Sequence, residues 1–249
     1  MTAPSRGLGR IGVLVPYTNT NLEPDLASLA PMGVSIHATR LGGYDLDAIP
    51  DAGQMAGLGR AEIEEPLRLI AGVRPDVILY GCTSATLAHG AAFDRMLREQ
   101  AAATAGAPVI TAAGALLSAL AAIGARRIGF ASPYVPELND RAIAFLAAFG
   151  VKTVARAEVA TPLGNHDQGA LTPEEVLALG LRASNRRAEA LVLSCTDMRA
   201  VEAVERLEAA TGLPVVTSNQ ALMHAALPHL GLSPDVVRCG RLFQTATAA

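Results

Sequence analysis

The residues of this sequence best suited to chemistry are two cysteines, each of which ends a short apolar run and precedes a threonine. Cys82 follows Val77-Ile-Leu-Tyr-Gly81, and Cys195 follows Leu191-Val-Leu-Ser194. A thiolate is both a strong nucleophile and a base, whereas a free thiol with a pKa of about 8.5 is mostly protonated at neutral pH. Two thiols that face each other could add to a carbon atom or carry a proton between the two faces of a substrate.

The two cysteines occupy equivalent places in an internal repeat. Three segments of the first half match three segments of the second half, in the same order and at nearly constant spacing. The matches are Arg10-Ile-Gly-Val-Leu-Val-Pro-Tyr17 with Arg127-Ile-Gly-Phe-Ala-Ser-Pro-Tyr134, Arg74-Pro-Asp-Val-Ile-Leu-Tyr-Gly-Cys-Thr83 with Arg187-Ala-Glu-Ala-Leu-Val-Leu-Ser-Cys-Thr196, and Ala107-Pro-Val-Ile-Thr111 with Leu213-Pro-Val-Val-Thr217. A lone cysteine at a strand end is usually a small buried hydrophobe, but a matched pair indicates chemistry. Cys239 has no counterpart in the repeat, so we interpret it as a packing residue without a chemical role.

Short β-branched segments alternate with helical patterns along the chain, which predicts βαβ units and parallel sheets. The predicted strands are Ile11–Val15, Val34–Thr39, Val77–Tyr80, Val109–Thr111, Ile128–Ala131, Leu191–Leu193 and Val215–Thr217. The predicted helices are Ala61–Ala71, Phe93–Ala103, Ala115–Ile123, Asp140–Ala148, Pro173–Ser184 and Ala200–Ala210. Ligands bind outside the carboxyl ends of parallel strands, so two duplicated sheets with these ends facing would place both thiols across one cleft.

We therefore predict an α/β protein of two similar flavodoxin-like parallel-sheet domains, related by pseudo-two-fold symmetry, with the active site between them. Residues 1–112 and 220–249 would form the first domain and residues 113–219 the second. We also expect a helix to begin after each cysteine, so that its N–H groups and the neighbouring hydroxyls stabilise negative charge. An active pair should include a thiol with a pKa below about 8.5.

Other polar residues follow the equivalent strands and carry the neutral donors that a small dicarboxylate site needs. Threonine and asparagine at such places also cap helices, and this alternative stays open for each of them. The candidate substrate-binding residues are Pro16, Tyr17, Thr18, Asn19, Thr83, Tyr134 and Thr196. Asn19 and Tyr134 are the strongest of these, because both lie where the thiols should be.

Composition excludes several classes of function. The net charge is −3, the isoelectric point is about 6.0, and no basic run occurs, so we expect no nucleic-acid partner. No apolar stretch approaches the roughly 18 residues of a membrane span, and Met1–Arg10 lacks the apolar core of a signal peptide, so we expect a cytoplasmic protein. The three cysteines and five histidines show no metal-ligand spacing, and neither a dinucleotide fingerprint nor a P-loop is present, so we expect no metal and no cofactor.

These motifs resemble the aspartate/glutamate racemase superfamily, and within it the maleate cis-trans isomerase and arylmalonate decarboxylase branch, from about Arg10 to Gly231. Val15-Pro-Tyr-Thr-Asn-Thr-Asn-Leu-Glu23 is similar to the isomerase segment that carries a substrate-binding asparagine, which matches Asn19. Pro133-Tyr134 matches a Pro-Tyr pair whose hydroxyl contacts substrate. The resemblance implies that maleate becomes fumarate without a cofactor, with Cys82 as nucleophile and Cys195 as proton donor and acceptor. We further expect a homo-oligomer, either a dimer or a tetramer.

The sequence leaves alternatives open. The same two thiols would serve a racemase or epimerase of an amino acid or related acid, in which one thiolate removes a proton and the other thiol returns it. The Thr83-Ser84 pair and Ala131-Ser-Pro-Tyr134 are closer to the decarboxylases, which need only Cys195 and carry glycine at the position of Cys82. Ser194-Cys-Thr-Asp197 and Ser218-Asn-Gln-Ala221 resemble a subgroup associated with ectoine breakdown. A binding protein that kept the cleft without turnover is a further alternative, with unperturbed thiols.

Overall fold

The computed structural model describes residues 6–42, 49–51, 53–55, 57 and 63–244, which contain two parallel sheets of four strands each. The first sheet has the order β2-β1-β3-β4, with β1 at Arg6–Pro16, β2 at Gly33–Leu41, β3 at Val77–Tyr80 and β4 at Val109–Thr111. The second has the order β6-β5-β7-β8, with β5 at Arg127–Ser132, β6 at Lys152–Glu158, β7 at Ala190–Leu193 and β8 at Val215–Thr217.

Helices cover the faces of both sheets. In the described part of the chain they are α1 (Leu22–Leu29), α2 (Glu64–Ala71), α3 (Thr83–His89), α4 (Ala91–Ala105), α5 (Ala112–Ala122), α6 (Pro136–Ala148), α7 (Asn165–Ala170), α8 (Pro173–Ala183), α9 (Val204–Thr211) and α10 (Ser218–Ala226). Short 3-10 helices lie at Val201–Ala203, Leu227–Leu230, Pro234–Val236 and Arg241–Gln244. Among the described residues, no helix has both the length and the apolar character needed to cross a membrane.

The two sheets repeat one pairing scheme, which confirms the predicted fold of two similar parallel-sheet halves. Leu14 of β1 lies opposite Tyr80 of β3, and Ala131 of β5 lies opposite Leu193 of β7. In each half a cysteine lies two residues beyond the third strand, at the carboxyl edge of the sheet. The apolar, β-branched residues of these central strands are fully buried, as expected for parallel strands covered on both faces.

The helices that follow the last strand of each half join the two sheets. α5 and α10 pack on each other, and each also contacts both β4 and β8. Thr217 caps α10, because its hydroxyl oxygen accepts a hydrogen bond from the N–H of Gln220. The side-chain oxygen of Gln220 in turn accepts from the N–H of Thr217, which makes a capping box. One apolar cluster contains Leu79 and Leu116 together with Phe130 of the second sheet. The division of the chain at residues 112 and 220 stays a prediction.

Most predicted elements agree with the structure, and the differences have physical reasons. The segment Ala200–Ala210 begins as the 3-10 helix Val201–Ala203 before α9 starts. The first two residues of the predicted helix Ala61–Ala71 lie outside the described residues. The sequence pattern did not predict α1, β6, α7 or the 3-10 helices that follow α10. β6 is an edge strand of mostly half-buried residues, so it lacks the apolar run that identifies a central strand.

Candidate active site

Cys82 is positioned by a glycine that lets two segments approach closely. A Cβ atom on Gly81 would lie 2.3 Å from Leu22 Cδ2 and 2.8 Å from the carbonyl oxygen of Leu14, so only glycine fits before this cysteine. Cys82 has an extended backbone and immediately precedes α3, which confirms the helix expected there. Its Sγ lies 3.6 Å from the Oγ of Ser84.

Cys195 lies at the matching place after β7, but no helix begins there, so that prediction was wrong. The chain bends after Ser194 and enters a 3-10 helix only at Val201. The side chain of Asn21 donates to the carbonyl oxygen of Asp197 at 2.6 Å and ties the bend to the first half. The N–H of Asp197 donates to Cys195 Sγ at 3.4 Å, so the bend supplies a donor that was expected from a helix.

Both cysteines line one cavity between the halves. The predicted residues that line it are Pro16, Thr18, Asn19, Cys82, Thr83, Tyr134, Cys195 and Thr196. Tyr17 is not among the lining residues, and its N–H donates to the carbonyl oxygen of Leu41 at 2.8 Å. The lining residues that sequence reasoning missed are Pro50, Met55, Ser84, Asn165, Gln168 and Asp197.

Burial raises the pKa of both thiols, contrary to the expectation that one would fall below the ordinary value. At Cys82 the N–H groups of Ala85 and Ser84 and the Ser84 hydroxyl oppose this rise. The pKa of Cys195 reaches about 12, because the negative charge of Asp197 adds to the effect of burial. No lysine or arginine of the described chain lines the cavity to favour a thiolate. Both thiols are therefore protonated at neutral pH.

Tyr134 brings a hydroxyl group to the thiols: it hydrogen-bonds with Cys195 and is close enough to Cys82 for charge there to affect it. Burial raises its pKa well above the usual value, and negative charge on Cys195 or Cys82 raises it further, so the phenol stays protonated and can donate. Its main chain is fixed on both sides: its N–H donates to Ser132 Oγ at 3.2 Å, and its carbonyl oxygen accepts from Asn139 Nδ2 at 3.2 Å. The second half therefore holds a rigid donor against the sulfur atoms.

Asn19 and Thr196 connect the two sides of the cavity. Asn19 Nδ2 donates to Thr196 Oγ1 at 3.0 Å. The Asn19 Oδ1 accepts the N–H groups of Asn21 and Leu22 at the start of α1. The amide oxygen thus caps the start of α1, which is the structural role that the sequence left open for Asn19. The amide nitrogen faces the cleft. Thr83 Oγ1 donates to Ser218 Oγ at 3.0 Å and orients the first turn of α3 beside Cys82.

Gln168 and Asp197 are the polar lining residues that sequence reasoning missed beside Cys195. The thiol of Cys195 donates to Gln168 Oε1 at 3.8 Å. Gln168 belongs to α7, which the sequence pattern did not reveal, so nothing in the sequence indicated it. The sequence could have indicated Asp197, because it directly follows Cys195-Thr196 and matches Ser84 when the two halves are aligned.

Other candidate groups lie apart from this cavity. Cys239 Sγ accepts from Gln220 Nε2 at 3.6 Å, outside the cavity lining. The ring of His89 stacks on Phe93 with centroids 4.0 Å apart, which is a packing role. Among the described residues, no cluster of three or more histidine, cysteine or acidic side chains could hold a metal ion.

Two duplicated parallel sheets, each presenting a strand-end thiol to one buried cleft, define an α/β enzyme of the two-cysteine type. The family described as arylmalonate decarboxylase matches residues 11–243, and the chain belongs to this family. Its fold and thiols place it in the branch that the sequence motifs indicated, which contains both maleate isomerases and decarboxylases.

Relatives from this branch match nearly the whole chain. A maleate isomerase from Pseudomonas putida is 30% identical over 256 residues, covering 96% of this chain and 98% of the relative. A maleate isomerase from Nocardia farcinica is 29% identical over 252 residues, covering 97% and 98%. Among solved structures, a Cys-to-Ser mutant of the Nocardia farcinica maleate cis-trans isomerase with a covalently bound succinylcysteine intermediate has a TM-score of 0.86 at 28% identity, covering 96% of this chain and 100% of that chain.

Proposed function

We propose that this protein converts maleate to fumarate, with Cys82 adding reversibly to the alkene and Cys195 carrying the proton. The proposal rests on one observation: two equivalent strand-end thiols line a single cavity, close enough that charge on Cys82 raises the pKa of Cys195. The maleate isomerases among the relatives support the substrate, and the succinylcysteine in one of them supports covalent addition.

The chemistry balances when Cys82 first releases its proton to solvent and Cys195 keeps its own. The Cys82 thiolate bonds to one alkene carbon, and the π electrons move to the other carbon and its carboxylate as an enediolate. Cys195 gives its proton to that carbon and becomes a thiolate. After rotation about the C–C single bond, Cys195 takes a proton back from that carbon, the C–S bond breaks, and Cys82 leaves as the thiolate, ready for the next cycle.

Neutral groups would hold the two carboxylates and the enediolate. The N–H groups of Ser84 and Ala85 point toward Cys82, where the charge develops, and the Tyr134 hydroxyl and Asn19 Nδ2 face the same cavity. Preorganised donors in a site that excludes water stabilise developing charge more than the same groups do in water. Among the described lining residues, neutral donors and not a cationic side chain would therefore bind the dianion.

A decarboxylase is a second candidate, and the hydroxyl groups of Thr83 and Ser84 favour it. Loss of CO2 from a malonate also produces an enediolate, and these hydroxyls lie beside the place where it would form. Protonation of that enediolate needs only Cys195, however, so the buried thiol of Cys82 would have no role in the reaction. The paired thiols fit the isomerase better.

A racemase or epimerase would use the same pair, with one sulfur on each face of a stereocentre.

NMR of a substrate panel in deuterated water separates the isomerase, decarboxylase and racemase reactions. We expect maleate to give fumarate without added metal or cofactor. Deuterium at the α-carbon of an amino acid with inversion, or deuterated arylacetate from an arylmalonate, would identify the other activities. No turnover of maleate or its substituted relatives would refute the isomerase proposal, and the Cys239→Ser variant serves as the cysteine control.

The cytoplasmic location and the homo-oligomer expected from the sequence stay predictions. Light scattering after size-exclusion chromatography would measure the mass of the assembly directly and distinguish a dimer from a tetramer.

A further inference from the structure

The repeat that makes the two cysteines equivalent differs at one position beside them. Each half carries Cys-Thr followed by a third residue, which is Ser84 in the first half and Asp197 in the second. Both side chains are buried and line the cavity. A neutral hydroxyl therefore accompanies one thiol, and a carboxyl group accompanies the other.

Ser84 is placed to donate a hydrogen bond to a sulfur anion. Its Oγ lies 3.6 Å from Cys82 Sγ and 2.9 Å from the Sδ of Met55. The hydroxyl donates to the thioether while Cys82 is protonated, and rotation about the Cβ–Oγ bond would redirect the same proton to a charged Cys82. A thioether is a weak acceptor, so little opposes this rotation.

Asp197 is held rigidly beside Cys195. Its Oδ1 accepts the N–H groups of Thr20 at 2.8 Å and Asn21 at 3.1 Å. The other oxygen, Oδ2, lies so close to Gly169 that a Cβ there would approach it to 2.9 Å. Backbone donors of the first half and a glycine of α7 thus fix the carboxylate, which cannot swing away when Cys195 gains negative charge.

We propose that these third residues assign the roles of the two thiols: Ser84 lets Cys82 carry the negative charge of a nucleophile, and Asp197 keeps the proton on Cys195. The assignment rests on the proposed two-thiol function, and it makes Ser84 and Asp197 positioning residues for a charge and a proton. A carboxylate next to a thiol disfavours the thiolate, whereas a hydroxyl donor favours it.

The electrostatics of the cavity agree in sign with this assignment. Burial raises the pKa of both thiols, and backbone N–H groups lower it at both: those of Ala85 and Ser84 at Cys82, and those of Asp197 and Met198 at Cys195. The side chains differ, because the Ser84 hydroxyl lowers the pKa of Cys82 whereas the charge of Asp197 raises that of Cys195. Among the described residues, the other titratable groups that face the thiols are the Tyr134 hydroxyl, which hydrogen-bonds with Cys195, and the opposite sulfur. A hydroxyl donor beside Cys195 opposes the assignment, so the charge of Asp197 must outweigh it, whereas Ser84 acts on Cys82 without a neighbouring carboxylate.

The test is the alkylation of each cysteine by iodoacetamide between pH 6 and 11, measured by mass spectrometry of the separate peptides and without substrate. The midpoint of a cysteine is the pH at which half of it has reacted after a fixed long exposure; it lies below the pKa because even a small thiolate fraction reacts irreversibly. In the wild-type protein we expect Cys82 to react at lower pH than Cys195. Asp197→Asn keeps an oxygen that accepts from Thr20 and Asn21 but removes the charge, so the Cys195 midpoint should fall by about one pH unit or more. Ser84→Ala should raise the Cys82 midpoint.

The matched control is Asp167→Asn, the same substitution at an exposed carboxylate next to Gln168, which should leave both midpoints unchanged. An unchanged Cys195 midpoint in Asp197→Asn, or earlier alkylation of Cys195 in the wild type, would overturn the assignment. If Asp197→Asn fails to fold, Ser84→Ala tests the same assignment from the Cys82 side, and the wild-type order can still overturn it. Because no substrate is present, this result is independent of whether maleate is converted.

Discussion

The hydroxyl of Thr196 donates a 2.8 Å hydrogen bond to the carbonyl oxygen of Gly81, which links the residue after one cysteine to the residue before the other. The two catalytic strand ends of the proposed mechanism are thus joined directly, across the cleft and from opposite sheets. A hydrogen bond at this place fixes the separation of the two sulfur atoms, on which any reaction that uses both of them depends.

Removal of this link should impair catalysis more than folding. Thr196→Val keeps the shape of the side chain but leaves the Gly81 carbonyl and the Asn19 amide without their partner, at a cost of about 1–3 kcal/mol. We expect kcat for maleate to fall by at least about tenfold, because small displacements of reacting groups are costly. Steady-state kinetics and urea denaturation measure the two effects. Thr104→Val, at an exposed helix position, is the control and should change neither.

The cysteines themselves should give distinct variants. A serine hydroxyl cannot replace a thiol near neutral pH, so Cys82→Ser and Cys195→Ser should each lower kcat by about a thousandfold or more. Cys195→Ser retains the nucleophile and should accumulate an adduct of substrate mass on Cys82, detected by mass spectrometry after an acid quench. Cys239→Ser should remain active. Full activity in either of the first two variants would contradict a two-thiol mechanism.

Much of this arrangement could be predicted from the sequence because the repeat and the rules for parallel sheets act together. Matching segments showed that Cys82 and Cys195 end equivalent strands, and ligands gather at the carboxyl edge of such sheets. These two facts are enough to place the thiols on one cleft. Tyr134 and Asn19 followed from the same reasoning, since both come directly after the first strand of their half.

The rest depends on tertiary contacts that no local pattern records. Gln168 reaches Cys195 from α7, a six-residue helix that is too short for a periodic signal. The bend after Cys195 replaces the expected helix because residues of the first half bind Asp197. The raised pKa of each thiol follows from burial and from the absence of a cation among the described lining residues, neither of which a sequence motif measures.

Gly81 should tolerate no side chain. Gly81→Ala would place a Cβ 2.3 Å from Leu22 Cδ2 and 2.8 Å from a backbone oxygen of β1, and the backbone cannot yield as a flexible side chain can. We expect a loss of about 1–3 kcal/mol in the free energy of unfolding and a displaced Cys82 with lower kcat. Gly42→Ala, where no atom lies within 4 Å of the new Cβ, is the matched control in urea denaturation. Equal stability of the two variants would contradict the packing described here.

Asp25 should make the protein less stable as the pH rises from acid toward neutral. Its carboxyl group is buried on α1, where Asn219 Nδ2 donates to it at 2.7 Å. Burial raises its pKa from 3.8 to about 7, although the hydrogen bond from Asn219 opposes the rise. The folded protein therefore holds this proton more tightly than the unfolded chain does.

It follows that the contribution of Asp25 to stability is fully present below about pH 4 and is lost as the pH rises toward about 7, above which it stays constant. The loss is on the order of 4 kcal/mol. Asp25→Asn keeps an oxygen that accepts from Asn219 and cannot ionise, so its free energy of unfolding should lack this decline and exceed that of the wild type at pH 8. Urea denaturation at pH 4 to 8 measures the difference. The control is Asp235→Asn, at an exposed position, whose free energy of unfolding should depend on pH as that of the wild type does. If the free energy of unfolding of Asp25→Asn also declines in parallel with that of the wild type, Asp25 is not the group responsible.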